Sequence, residues 1–244
     1  MIELRGIQKT FDRPVLKGVD LFVPEGCLYG LVGPGASGKS VLLKVMTALL
    51  RPEAGSVRIA GKDVLSLSDL ELQEFRKGIG MLFQNNALFD FMTVGENIAF
   101  PLRRLFDLPE EEITARIEER LRVVSLPGFE DRLPAGLSGG QKKRVGVARA
   151  TIAKAPIVLY DEPAAGLDPV TSQKIFDLLR AEQRATGATV VMVSSDLDRL
   201  LPVTDRIGMM YRGELIYDGT TEDARQSSNP YVYQFINGLP EGPL

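Results

Sequence analysis

The sequence predicts an α/β fold in which a helical lobe interrupts a sheet-rich core. Strand-like runs alternate with helix-like runs, which is typical of a layered architecture with parallel strands. No strand pattern occurs between residues 93 and 154. The run PIVLYDEP that follows is continuously apolar, as expected for a parallel strand buried on both faces. We therefore predict a mixed sheet core with an inserted helical lobe.

The part before the lobe is rich in strands. Five runs have strand character: IELRGI, VDLFV, CLYGLVG, SVRIAG and IGMLFQ. Between them, residues 39–50 are predicted to form a helix after a glycine-rich turn. Ser68 and Glu71 have the spacing of a capping box, which predicts a short helix that ends near Gly78.

The lobe and the remainder follow from similar signals. Pro109 and the three glutamates after it predict a helix start, and one apolar face then recurs at Ile113, Ile117, Leu121 and Val124. After PIVLYDEP come a helix over about 169–182, the strand ATVVMVS, a short helix from about Asp196 and a hairpin, IGMMY and ELIYDG. We expect one domain over 1–244, with core 1–92 and 155–219, lobe 93–154, and a tail 220–244 holding one or two short helices.

The composition is that of an ordinary globular protein. The 244 residues are 44% hydrophobic and 25% charged, and the net charge of −3 gives no basic field for nucleic acid. Cys27 is the single cysteine, and we expect it to be a small buried side chain. The start MIELRGIQKTF shows no secretory signal, and no apolar run approaches the roughly 18 residues of a membrane span. These features favour a cytoplasmic protein that would need another chain to act at a membrane.

The stretch GPGASGKS fits G-x-x-x-x-G-K-[ST] between a predicted strand and a predicted helix. In that context backbone N–H groups surround a phosphate, Lys39 reaches the β- and γ-phosphates and the Ser40 hydroxyl binds Mg²⁺. A flexible glycine turn is the alternative. The residues expected to bind ATP here are Gly33, Pro34, Gly35, Ala36, Ser37, Gly38, Lys39, Ser40 and Val41.

Two carboxylates follow the predicted strand IVLY. Asp161 can hold the magnesium shell, and Glu162 can polarise a water for attack on the γ-phosphorus. Alone, this sequence could be a polar turn. Together with the phosphate-binding turn it indicates ATP hydrolysis.

A second anion-binding pattern, LSGGQ, stands at the head of a predicted helix. Its residues are Ser138, Gly139, Gly140 and Gln141. Helix capping would explain the serine, but not a second nest of the phosphate-binding type at the head of a helical lobe. With LSGGQ the chain resembles the nucleotide-binding subunit of an ABC transporter, which implies the ABC type of P-loop NTPase fold. The resemblance also implies a head-to-tail homodimer, in which LSGGQ of one protomer closes over ATP bound to the other.

The resemblance assigns further roles. Phe11 resembles the aromatic residue that stacks on adenine, Gln84 the glutamine that touches Mg²⁺ and the attacking water, and Asp168 the D-loop aspartate. Ordinary core for Phe11 and a plain loop position for Gln84 remain alternatives. The cationic positions 142–144 are expected to be a solvated helix face.

A closer resemblance lies in MLFQNNALFDFMTVGENIAFPLR and YVYQFINGLPEGPL. Both are similar to ATPases of the Mla/Mkl group of MCE-type lipid transporters. This implies an MlaE-type permease, an MCE substrate-binding protein, often a small STAS-domain partner, and a place at the cytoplasmic face of the inner membrane. We expect the permease to contact residues 84–104, where Phe89, Phe91 and Phe100 supply apolar surface, although these could instead be lobe core.

Ser195 departs from the family. A histidine that binds the γ-phosphate usually stands there, and this chain contains no histidine. A serine hydroxyl is shorter and cannot become cationic, so we expect slow hydrolysis with ATP binding retained. The alternative is that Ser195 caps the helix near Asp196, with Asp198 as the capping-box acid.

Two other function classes remain open on the sequence. One is an ABC-type ATPase without a transporter, although such proteins usually carry two cassettes or a long coiled coil. The other is a regulatory module that binds ATP with little turnover, an alternative that the serine at position 195 keeps open.

Overall fold

The fold contains two sheets, described over all residues 1–244 in a computed structural model. Four antiparallel strands, in the order β2-β1-β4-β5, form the first sheet: β1 (Ile2–Thr10), β2 (Pro14–Val23), β4 (Ala54–Ile59) and β5 (Lys62–Asp63). Six strands, in the order β10-β9-β3-β8-β7-β6, form the second: β3 (Leu28–Val32), β6 (Ile79–Leu82), β7 (Ile157–Asp161), β8 (Thr189–Val193), β9 (Arg206–Tyr211) and β10 (Glu214–Gly219).

Nine α-helices accompany the sheets. They are α1 (Lys39–Met46), α2 (Asp69–Lys77), α3 (Val94–Leu105), α4 (Glu110–Val123), α5 (Gly139–Thr151), α6 (Pro169–Thr186), α7 (Leu197–Leu200), α8 (Thr221–Arg225) and α9 (Pro230–Asn237). Helices α3, α4 and α5 lie between β6 and β7, which are themselves neighbours in the sheet. The chain therefore leaves and re-enters the sheet at adjacent strands. The α/β fold with a mixed sheet is confirmed. No helix combines the length and the apolar character that a membrane span requires.

The second sheet separates two apolar clusters. Every residue of β3, β7 and β8 is buried. Along β7, Val158 and Tyr160 pack in the cluster that contains the helical segment, whereas Ile157 and Leu159 pack in the cluster beneath the first sheet. This alternation follows from the two-residue repeat of a strand. It explains why the sequence of β7 is apolar without interruption.

The parallel register levels the ends of the central strands. Leu31 of β3 lies opposite Val193 of β8, and Asp161 of β7 lies opposite the same valine. The turn after β3, the residue after β7 and the loop after β8 therefore meet at one edge of the sheet.

Most local predictions are confirmed. The capping box of Ser68 and Glu71 starts α2, and Gly78 is the C-cap residue after its last residue, Lys77. The predicted apolar face of α4 is buried, and the hairpin of β9 and β10 and two short tail helices are present. Cys27 is buried, and burial raises the pKa of its thiol to about 11.

Two helix ends differ from prediction. Helix α1 stops at Met46 instead of residue 50, because the backbone at Ala48 turns left-handed with φ 52°. Helix α6 continues to Thr186, four residues past the predicted 182, until Gly187 adopts φ 66° and its N–H bonds the Gln183 carbonyl.

Candidate active site

The phosphate-binding turn, residues 33–40, joins β3 to α1 and depends on two glycines. Gly33 has φ 137°, and a Cβ there would lie 2.0 Å from the Met210 carbonyl oxygen. Gly38 has φ 104°, and its Cβ would meet the Leu16 side chain at 2.8 Å. Side chains at either position would force the backbone to move. The turn therefore keeps its shape only with glycine at both positions.

Helix α1 begins at this turn without a side-chain cap. Its N-cap residue is Gly38, which makes no side-chain capping bond. Helix N–H groups that lack a capping partner are suited to bind an anion. The Lys39 ammonium donates to the carbonyl oxygens of Gly33 (2.7 Å) and Pro34 (2.8 Å). Burial lowers the pKa of Lys39, while Glu162 and Asp161 oppose this shift. The turn thus places the Lys39 ammonium close to backbone N–H groups that can donate hydrogen bonds to a phosphate.

Ser40 and Asp161 form the second part of the site. The Ser40 hydroxyl donates to an Asp161 carboxylate oxygen at 3.1 Å, and Asp161 is only 6% exposed. Burial raises the pKa of Asp161, and the Ser40 bond and nearby lysines oppose the rise. The chain has no group of three or more His, Cys, Asp or Glu side chains that could by itself hold a metal ion. One carboxylate and one hydroxyl fit Mg²⁺, which takes few protein ligands when phosphates supply the others.

Glu162 follows β7 with a strained backbone. Its φ is 50°, and its N–H donates to the Val193 carbonyl at 2.9 Å. Such conformations persist where the surrounding structure fixes them. The carboxylate oxygen Oε2 accepts two bonds from Ser195, from the N–H at 3.2 Å and from the hydroxyl at 3.1 Å. Ser195 therefore touches the predicted base directly.

The alternative role for Ser195 as a helix cap is wrong. Helix α7 starts at Leu197, and its N-cap, Asp196, receives no side-chain capping bond. The hydroxyl that bonds the local backbone is that of Ser194, which accepts from the Asp196 N–H at 3.1 Å. The Ser195 hydroxyl points to Glu162 instead.

Gln84 makes no direct hydrogen bond to the predicted magnesium ligands. It is an exposed residue in the connection between β6 and α3, and its side chain forms no hydrogen bond to Ser40 or Asp161. Its backbone carbonyl accepts a bond from the Lys143 ammonium. The predicted contact of Gln84 with Mg²⁺ stays a prediction.

The LSGGQ residues begin α5 and are closed on themselves by a capping box. The Ser138 hydroxyl accepts from the Gln141 N–H at 3.3 Å, and the Gln141 side chain accepts from the Ser138 N–H at 2.9 Å. Gly139 and Gly140 have Leu167 and Thr171 as neighbours. Nothing within the chain joins LSGGQ to the phosphate-binding turn.

Asp168 caps α6. Its carboxylate accepts from the Val170 and Thr171 N–H groups at 3.0 and 2.9 Å, and hydrogen bonding from Thr171 lowers the pKa of Asp168. The capping contact is thus clear, and the D-loop role stays a prediction.

A cavity of about 560 Å³ adjoins the phosphate-binding turn. Three cationic residues line it that the sequence did not single out: Arg13, Lys17 and Arg212. Arg212 reaches it because the β9–β10 hairpin packs on β2, where the Lys17 N–H bonds the Gly213 carbonyl at 2.9 Å. Only the nearness of Arg13 to Phe11 in the chain could have suggested any of them.

The aromatic predictions divide by exposure. Phe11 is 54% exposed, with the Lys9 ammonium 5.5 Å from its ring centre, so the core alternative is wrong. Phe89 packs on Phe100 with ring centres 4.8 Å apart and on Phe91 at 5.8 Å. Phe91 and Phe100 are 78% and 38% exposed, so the lobe-core alternative is wrong for these two.

The prediction of a solvated face at positions 142–144 is wrong for Lys143. That side chain is buried at 5% exposure, because the chain connection after β6 and the residue after β7 pack over it.

Comparison with known proteins decides the family. The chain matches the family described as ABC transporter over residues 16–165. The chain belongs to the ABC transporter family. It is 40% identical over 244 residues to the probable ribonucleotide transport ATP-binding protein mkl of Mycobacterium leprae, covering 100% of this chain and 70% of that one. It is 38% identical over 262 residues to the chloroplastic protein TRIGALACTOSYLDIACYLGLYCEROL 3 of Arabidopsis thaliana, covering 100% and 75%.

Solved ABC structures agree with this fold. The dimeric post-hydrolysis state of the ATP-binding cassette MJ0796, bound to ADP and Pi, superposes with TM-score 0.85 at 34% identity over 90% of this chain and 98% of that one. The cbiO1 protein of Clostridium perfringens, part of the ABC transporter complex cbiONQ, superposes with TM-score 0.83 at 26% identity over 98% and 95%. This ABC protein is thus an ATP-binding transporter subunit and an ATPase.

The two glycine positions predict a contrast. Gly33→Ala should weaken ATP binding at least about tenfold, because the new Cβ displaces the turn from the Met210 carbonyl. Gly35→Ala is the matched control, since no atom lies within 4 Å of a Cβ there. Titration with a fluorescent ATP analogue measures both, and equal affinities for the two variants would contradict the assigned role of Gly33.

Proposed function

We propose that the chain hydrolyses MgATP within a homodimer and thereby drives a separate membrane permease that moves a lipid. The observation that supports this best is the meeting of the phosphate-binding turn, Asp161, Glu162 and Ser195 at one sheet edge. A binding module without turnover would have no need of a carboxylate fixed beside the phosphate turn.

Each group at the edge has a distinct task. Lys39 and the N–H groups of α1 would hold the phosphates, and Ser40 and Asp161 would hold Mg²⁺. The bound ion would supply positive charge that neutralises the charge developing on the phosphates. Ser195 fixes Oε2 of Glu162 with two donors. Oε1 then stays available to accept a proton from the attacking water.

The same geometry favours slow turnover. A serine hydroxyl has one proton to donate, and here it is directed to Glu162. It cannot also donate to the γ-phosphate, as a histidine at this position would. Loss of one preorganised donor typically costs about 10²–10³ in rate. Ser195 therefore orients the base but does not stabilise the γ-phosphate.

A second protomer would complete the site. Ser138 and Gly139 are exposed, whereas Gly140 and Gln141 are half-buried and Leu137 is buried. The two glycines lie next to Leu167 and Thr171, around the start of α6, and LSGGQ forms no hydrogen bond to the phosphate-binding turn of its own chain. A head-to-tail pair places Ser138 and the N–H groups of α5 against the partner's ATP, as the family resemblance implies. The dimeric state of MJ0796 supports this arrangement.

The permease would contact the face around α3. A groove of about 340 Å³ lies there, with Phe83, Phe89, Phe100, Pro101 and Leu105 in its wall. Phe91 projects beside it. An apolar groove of this type suits a helix from a membrane partner. The membership of cbiO1 in a transporter complex supports such a partner.

The lipid cargo rests on the resemblance to the Mla/Mkl group. The names of the relatives differ: one refers to ribonucleotide transport, one to a galactolipid, and the methionine import protein MetN of Bordetella avium is 37% identical over 228 residues, covering 91% of this chain and 63% of that one. We favour lipid, with an MlaE-type permease, an MCE protein, a STAS-domain partner and a place at the cytoplasmic face of the inner membrane.

The role of Ser195 predicts opposite effects of two substitutions. Ser195→His should raise the turnover number at least about tenfold by restoring a phosphate donor, and Ser195→Ala should lower it by removing one of the two bonds to Glu162. Glu162→Gln gives the background turnover number, because this variant should bind MgATP but lacks the base.

A phosphate-release assay on the purified proteins measures all three, and ATP titration serves as the control for binding. An unchanged turnover number in Ser195→His would contradict the hypothesis that hydrolysis is slow because a phosphate donor is missing. Wild-type turnover in Glu162→Gln would show that Glu162 is not the base.

The groove predicts a permease contact. Phe91→Asp should abolish copurification of the membrane partner, because an exposed aromatic contact becomes an unpaired charge. Phe22→Asp, an exposed phenylalanine on β2, is the matched control and should keep the partner. Retention of the permease by Phe91→Asp would refute the proposed contact surface.

The lipid cargo predicts a bound molecule. Mass spectrometry of the complex should find bound phospholipid, and bound methionine or ribonucleotide instead would refute a lipid cargo.

A further inference from the structure

Lys143 is a buried cation without an ion pair. It lies one turn into α5, its side chain is 5% exposed, and its ammonium contacts no carboxylate. It donates instead to two backbone carbonyls, those of Gln84 and of Glu162, the latter at 3.1 Å. Burial lowers the pKa of Lys143, while Glu162 and Asp161 oppose the shift. A cation buried at this cost is seldom there for packing alone.

The two carbonyls belong to different parts of the site. Gln84 lies in the connection between β6 and α3, which continues to the groove proposed for the permease. Glu162 is the proposed base at the sheet edge. Lys143 itself is five residues beyond Ser138, on the helix proposed to face the partner's ATP. One ammonium therefore joins three segments that are far apart in sequence.

A second cation of α5 shows what is special about Lys143. Arg149 donates to the carbonyls of Asn86 and Ala87, the latter at 2.7 Å. Helix α5 thus holds the connection after β6 at three carbonyls. Only Lys143 also reaches the residue after β7. The link from α5 to the base runs through this side chain.

We propose that Lys143 is a positioning residue that aligns the Glu162 backbone with α5 and the connection at Gln84. The inference rests on the proposed role of Glu162 as the base. Ser195 fixes the Glu162 carboxylate and Lys143 fixes its carbonyl, so the residue is held at both ends in its strained conformation. A shift of α5 or of the connection after β6 then changes the orientation of the Glu162 carboxylate, although neither segment need contact the nucleotide.

The test compares Lys143→Met, which keeps length without charge, with Lys142→Met on the same helix. Lys143→Met should lower kcat at least about tenfold, with KM and ATP affinity within about twofold, because only the aim of the base is lost. Lys143→Arg should restore most of the kcat, and Lys142→Met should match wild type. Should Lys143→Met not fold, Lys143→Gln takes its place with the same expectations.

A kcat within twofold of wild type for Lys143→Met would overturn the inference, and so would a parallel fall in ATP affinity, which would indicate a general structural role. Glu162→Gln measured alongside separates the two proposals. An inactive Glu162→Gln with an unaffected Lys143→Met overturns only the role of Lys143, whereas an active Glu162→Gln overturns the proposed base.

Discussion

The parallel pairing of β3, β8 and β7 is the constraint on which the site depends. The strands end level, so three segments that are far apart in sequence meet at one edge. A one-residue slip of β7 would turn Asp161 to the other face of the sheet and separate it from Ser40. The complete burial of these strands on both faces holds the register. Apolar packing thereby sets the positions of polar groups that have little freedom of their own.

The same sheet edge holds buried groups of both charges. Burial lowers the pKa of Lys39 and Lys143 and raises that of Asp161, and each shift is partly offset by the opposite charges nearby. Charges buried together in this way are fixed before the substrate arrives, which is what stabilisation of developing charge requires. Ser195 adds neutral donors to this arrangement. The sheet edge can therefore orient the proposed base, Glu162, yet it lacks the extra cation that a histidine at position 195 could supply.

The sequence predicted local features well and side-chain environments less well. The turn at 33–40, the strand before Asp161 and the capping box at Ser68 depend on neighbouring residues, so their patterns are visible in the chain. Lys143 is flanked by Lys142 and Arg144, and three cations in a row show no preferred face. Its burial is decided by distant segments that pack over it. The cationic lining by Lys17 and Arg212 likewise depends on a hairpin packing against β2.

Sedimentation velocity tests the two-protomer ATP site most directly. Glu162→Gln with MgATP should sediment as a dimer and without nucleotide as a monomer. Ser138→Asp added to it should bind ATP but stay monomeric, because aspartate keeps the helix cap while its charge repels the partner's phosphates. Two results would contradict a site shared between two copies of the chain. One is a Glu162→Gln protein that stays monomeric when saturated with ATP, and the other is a dimer that still forms after Ser138→Asp is added.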